Sequence, residues 1–159
     1  MKIKLLMMAM VFLIVSAGCA STTILDEHPN YKPLIGKKYR LLIDCYFASY
    51  GSSSSNQFVM PPGILGVPKQ CNDSFLGKTY NNKTLIGIVK KGSILKINSI
   101  KSEVSFESQS FIIDIKFSND SSAKIYDGTW LFDDSNGKLT PLKDYIAAEE
   151  TPGQSSAEQ

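Results

Sequence analysis

The chain has 159 residues and a mass of 17.5 kDa, with 43% hydrophobic, 20% charged and 10% aromatic residues. This composition describes one ordinary globular domain and excludes disordered, collagenous and polytopic membrane classes. Lys and Arg number 17 against 15 Asp and Glu, but Lys2 and Lys4 lie in a leader expected to be removed, so the mature chain is near neutral and has no electrostatic reason to seek nucleic acid.

Lys2 and Lys4 are followed by the apolar run Leu5 to Val15 and then by Ser16-Ala17-Gly18-Cys19. A charged start, a short apolar stretch and small residues before a cleavage point predict a secretory signal peptide over 1–18. The run is shorter than the roughly 20 residues that span a bilayer core, so no transmembrane helix is expected. Val15-Ser16-Ala17-Gly18-Cys19 resembles the lipobox of bacterial lipoproteins, with Ser16 where that family most often has Leu. The resemblance implies cleavage before Cys19 and acylation of its thiol and amine, a membrane anchor that two or more acyl chains make stable. Ala20 follows the Cys in place of Asp, which in that family implies an outer-membrane destination facing the periplasm.

Removing Cys19 as the lipid site leaves Cys45 and Cys71, and an even pair in an oxidising compartment predicts a disulfide. Closing a loop of about 26 residues would contribute roughly 3.5 kcal/mol. No His or third Cys stands near either position, so no metal site and no cofactor are expected.

Residues 19–32 are polar, contain Pro29 and show no apolar period, which predicts a lipidated N-terminus and tether. The domain proper is expected over 33–146, with a disordered tail over 147–159 that carries Pro152 and Gly153. Lys38 to Phe47 reads as the first strand, with Tyr39, Leu41, Ile43, Cys45 and Phe47 inward and Arg40, Leu42, Asp44 and Tyr46 outward. Tyr50 to about Thr84 reads as a long excursion, because the Ser-rich start and Pro61, Pro62 and Pro68 suit no sheet interior, with Cys71 tying it back. Leu85 to Val89 and Ser93 to Ile100 flank Lys90-Lys91-Gly92 as a hairpin, in which Gly92 supplies a positive φ. Phe111 to Phe117 alternates cleanly, with Asp114 and Lys116 outward. Ser118 to Ser122 is a turn, Ala123 to Phe132 a strand bent at Asp127-Gly128, and Asn136-Gly137 another turn. Five or six short strands of this kind favour an all-β fold, a small antiparallel, partly open barrel with one long disulfide-tethered loop.

Catalytic chemistry finds little purchase. The single His28 sits in the tether beside Pro29, and Asp133-Asp134 and Glu149-Glu150 are adjacent carboxylates that diverge rather than flank a substrate bond. The chain therefore reads as a binding protein and not an enzyme. Tyr46, Tyr50, Phe58, Phe75, Tyr80 and Trp130 supply aromatic character in or near the excursion and on the bent strand. Of these, Tyr46, Tyr50, Tyr80 and Trp130 are the ligand-binding candidates, because flat apolar faces beside Ser and Asn suit sugars or extended peptides.

Ile88-Val89-Lys90-Lys91-Gly92-Ser93-Ile94-Leu95-Lys96-Ile97 and Gly128-Thr129-Trp130-Leu131 resemble the hairpin and the Gly-x-Trp strand of bacterial SH3-like domains. That resemblance implies an SH3-like barrel and a partner in peptidoglycan or another envelope protein. Ser122-Ala123-Lys124-Ile125-Tyr126 is similar to the loop of lipoprotein inhibitors of C-type lysozyme, which implies the alternative of a wall-hydrolase inhibitor in which Lys124 and Tyr126 protrude as a plug.

Overall fold

The computed structural model describes residues 21–51, 56–104, 109–122, 124–135 and 138–149. The signal peptide at 1–18, the lipidation candidate Cys19, the Asn136-Gly137 turn and the tail from residue 150 lie outside the described residues. The strands are β1 (Ser21–Ile24), β2 (Lys38–Leu41), β3 (Cys45–Tyr50), β4 (Gln57–Met60), β5 (Thr79–Tyr80), β6 (Lys83–Val89), β7 (Ile94–Val104), β8 (Gln109–Phe117), β9 (Tyr126–Asp127), β10 (Phe132–Asp133), β11 (Thr140–Pro141) and β12 (Ile146–Ala148). Only short 3-10 turns interrupt them, so the fold is all-β as the alternation predicts.

Ten strands form one sheet in the order β12-β2-β7-β8-β9-β4-β3-β6-β5, with β1 added to the end of β7. Among the described residues the path does not close, so the sheet is open, and the β4–β9 contact is parallel in place of the expected antiparallel arrangement. Its outermost strands, β12 and β5, are three and two residues long. Short edges of that kind offer little template for pairing with another chain.

Several expected elements are rearranged. Lys38 to Phe47 is two strands, because the chain turns at Leu42 to Asp44: Leu42 N–H donates to Tyr145 and the Asp44 carboxylate takes the Lys91 N–H at 2.7 Å. β2 then pairs with β12 and β7, while β3 pairs with β4 and β6. Gly92 has the positive φ expected of it, 86°, yet β6 and β7 do not pair with each other. The turn there hands the chain from one half of the sheet to the other, with Gly92 N–H donating to Leu41, so the segment that resembles an SH3-like hairpin is not a ladder. Gln57–Met60, placed by sequence in the excursion, is instead a strand inside the sheet; the prolines begin only at Pro61, where the strand has ended.

The expected tether also belongs to the fold. β1 pairs with Lys101–Val104, Asp26 accepts from Ser99 Oγ (3.0 Å) and Ile100 N–H (2.8 Å), and Tyr31 is buried against Phe111. Tyr31 is part of the larger core, and Leu25, Leu34 and Ile35 pack against it from irregular positions along turns and a 3-10 stretch, which is why the segment has no apolar period. At the other end Ile146–Ala148 extends β2, and Glu149 receives two hydrogen bonds from Arg40, at 2.6 and 3.0 Å. The ordered chain therefore runs past residue 146.

Two apolar clusters lie on opposite faces of β3. The larger holds Leu41, Cys45, Val59, Leu95, Ile97, Ile113, Ile115 and Leu131. The smaller holds Tyr46, Ala48, Phe58, Met60, Val67 and Leu85, covered by Ile64, Phe75 and Leu76 of the excursion. Cys45 and Cys71 are free thiols, not the expected disulfide. Cys45 belongs to the larger cluster and Cys71 packs on the smaller, and the two thiols are near enough for Cys71 to add to the rise of Cys45. Cys71 still ties the excursion to the first strands, through a hydrogen bond from its Sγ to the Asp44 carbonyl at 3.3 Å. Burial pushes the Cys45 thiol up to about 12 and the Cys71 thiol up to about 11, which makes both poor nucleophiles.

Candidate functional site

Tyr80-Asn81-Asn82-Lys83 closes a two-residue hairpin between β5 and β6. Asn81 and Asn82 have φ of 44° and 63°, the paired left-handed conformations of a two-residue turn that Asn tolerates. Tyr80 and Lys83 are thereby set opposite each other, and Lys83 is also opposite Tyr50 on the other side. Tyr50, Lys83 and Tyr80 form a row across three adjacent strands, at the end of the face that carries the smaller cluster. Trp130 reaches the same place from a 3-10 turn, Thr129–Leu131.

Lys83 is the hub. Its residue is only 8% exposed, and its ammonium lies 5.2 Å from the Tyr50 ring and 6.0 Å from the Trp130 ring. It donates to the Asn81 carbonyl at 3.3 Å. Cation–π attraction holds the two rings about a common centre, an effect of about 0.5–2 kcal/mol depending on exposure. Tyr50 stacks on the buried Phe58 at 4.9 Å and remains 51% exposed. The result is a shelf in which a fixed cation lies between Tyr50 and Trp130 with Tyr80 across the hairpin, while the Asn81 amide is spent on the Leu65 carbonyl at 2.6 Å.

Trp130 depends on Gly128. Gly128 donates to the Ile113 carbonyl at 2.7 Å, and a Cβ there would come within 2.8 Å of Ile115 Cγ2. Only glycine lets the chain cross so close to the core, as the bend expected at Asp127-Gly128 requires. Asp127 receives the Thr129 N–H at 2.8 Å and the Thr129 hydroxyl. Burial raises its pKa against those hydrogen bonds, and the neighbouring Asp114 adds to the rise. Asp114, expected to face solvent, is buried and paired with Lys101 at 2.6 Å. Burial, then the charge of Asp127, raises the Tyr50 hydroxyl.

Three of the four ligand candidates, Tyr50, Tyr80 and Trp130, thus meet in one place. Tyr46 does not: it is fully buried, its hydroxyl donating to the Gln70 carbonyl at 2.8 Å and accepting from Asn72 N–H at 3.1 Å. Its face points away from the main core as expected, but the excursion covers it. Sequence reasoning missed Lys83, although Asn81-Asn82 carried the turn signal that fixes it.

A second aromatic group lies elsewhere. Phe47, Phe117 and Tyr126 line an open cleft of about 410 Å³ together with Lys90, Asn119 and Asp120. Their rings contact one another at 4.8 to 5.7 Å, and the Tyr126 hydroxyl donates to Asp120 at 3.0 Å. Burial and that carboxylate push the Tyr126 hydroxyl up to about 12. Tyr126 is 9% exposed and Lys124 lies over its ring at 5.4 Å. The pair is folded back on the domain and does not protrude as the inhibitor geometry demands.

No family model, curated protein or solved structure matches this chain. The shelf is therefore read from its own chemistry. Aromatic faces on either side of a cation stack on the apolar faces of a sugar ring or a planar group, and the ammonium offers a donor to its polar edge.

Proposed function

We propose that this chain is a lipoprotein acylated at Cys19, held at the outer membrane and facing the periplasm, whose domain binds without catalysing a reaction. Its ligand is the glycan of peptidoglycan, or an envelope protein that presents a comparable surface. The convergence of Tyr50, Tyr80 and Trp130 around Lys83 carries this reading. Tyr50 is half exposed and shares the Lys83 cation with the partly buried Trp130, so these two rings lose little freedom on binding. The reading rests on that shelf and not on the SH3-like resemblance, whose two hairpin strands pair with other strands rather than with each other.

Trp130 is the single tryptophan of the chain, so the site carries its own reporter. Titrating soluble muropeptides should shift Trp130 emission in a saturable manner, with the shift abolished in Tyr50→Ala. Emission unchanged by muropeptides, with the fold intact, would turn the search to protein partners of the same shelf.

A further inference from the structure

The lipid anchor and the fold are almost contiguous. Only Ala20 separates Cys19 from Ser21, where β1 begins, and two residue steps span at most about 7 Å. Ser21 is paired with Val104 at the far end of β7, and β1 continues in register to Ile24 opposite Lys101. Leu25 N–H donates to Ile100 at 2.8 Å and Asp26 caps Ser99 and Ile100, so the start of the ordered chain is fastened to β7 at both ends. β1 is exposed along its whole length, with Ile24 67% and Val104 42% exposed, two of the few large aliphatic side chains left in solvent. These residues and the ends of β7 and β8 form an arm.

Acylation seats the modified residue at the headgroup level. Cα partners in an antiparallel ladder are about 5 Å apart, so Val104 would follow Ser21 to the bilayer surface. We infer that the domain has no tether and meets the membrane directly, through the end of the arm where Ser21 of β1 pairs with Val104 of β7, with Val104 at the lipid interface and Ile24 about 10 Å further along the ladder. The partner surface is the lipid bilayer itself. This rests on the lipoprotein reading. It adds an orientation: the Ile94 end of the eleven-residue β7 lies roughly 33 Å along the strand from that contact, and Lys91, in the turn before it, is farther still.

The full-length chain, produced in a bacterium that acylates lipoproteins, tests this by photo-cross-linking. One variant carries Val104→p-benzoylphenylalanine and the other Lys91→p-benzoylphenylalanine. Irradiated membranes are scored for lipid adducts, and mass spectrometry of the mature N-terminus reports the state of Cys19. The inference expects an acylated Cys19 and several-fold more lipid adduct from position 104 than from position 91. A flexible Gly-Ser segment inserted between Ala20 and Ser21 should bring the two positions to the same low yield. Acylated Cys19 with equal yields at the two positions overturns the inference while leaving the lipoprotein reading intact. An unmodified Cys19 overturns both.

Discussion

The molecule carries two aromatic groups of similar composition that are put to different uses. Phe47, Phe117 and Tyr126 lean on one another, and the Tyr126 hydroxyl is spent on Asp120. Tyr50 and Trp130 instead flank the Lys83 ammonium, with Tyr80 paired to Lys83 across the hairpin and Tyr50 half exposed over the buried Phe58. Rings whose faces and hydroxyls are already occupied stabilise the fold. Rings held apart by a cation keep a face for a ligand. The comparison teaches that aromatic content alone does not mark a site; what marks it is how many of the rings' own contacts remain unmade.

Perturbing what lies beneath the shelf should have the largest effect. Phe58→Ala removes a ring that is 1% exposed and supports Tyr50, and should cost about 3–5 kcal/mol in chemical denaturation, with ligand binding lost in the same variant. Gly128→Ala forces a methyl against Ile115 and should cost about 1–3 kcal/mol, displacing Trp130 and altering its emission in the folded protein. If Gly128→Ala leaves stability and emission unchanged, the close approach does not position the shelf.

A pair of substitutions at the rings themselves sharpens the contrast. Tyr50→Ala should weaken muropeptide binding about tenfold, close to 1.4 kcal/mol, while changing stability only slightly. Tyr126→Phe should do the reverse, costing about 0.5–1.5 kcal/mol for its hydrogen bond and leaving binding unchanged. Equal effects of the two on binding would erase the distinction between packing rings and recognition rings.

The smallest effects are expected from pH, and they have opposite signs in two places. The Lys91 N–H holds the Asp44 carboxyl below its ordinary value, so its contribution is present above about pH 4 and is lost as pH falls through the lowered folded value. Asp44→Asn should therefore be less stable than the parent at neutrality and converge with it in acid. Burial raises Asp127, so its contribution is full in acid, below the unfolded value, and lost as pH rises through the folded one. The balance between parent and Asp127→Asn should shift toward the variant from about pH 4 to neutrality, as unfolding curves at several pH values will show.

Much of this was legible from alternation and turn chemistry. The inward set of Tyr39, Leu41, Cys45, Ile113, Ile115 and Phe117, the bend at Gly128 and the positive φ of Gly92 all follow from local rules. What local rules could not supply was pairing. Gly92 looks the same at the tip of a hairpin and at a crossing between two halves of a sheet, and only the long-range partners of β6 and β7 distinguish them. Residues 21–32 of the expected tether join the fold for a related reason: β1 and the buried Tyr31 are held by long-range partners, β7 and Phe111, which leave no local apolar period. Lys83 was invisible because a lone lysine becomes a hub only when Tyr50, from a distant part of the chain, arrives beside it.

The central claim, that the shelf recognises envelope glycan, is tested most directly by co-sedimentation of a soluble form of the chain that begins at Ala20, without the lipidated Cys19, with purified peptidoglycan sacculi beside its Trp130→Ala variant. The account predicts that the parent pellets with sacculi and the folded variant stays in the supernatant. A parent that remains in the supernatant, or a variant that pellets equally well, would contradict it.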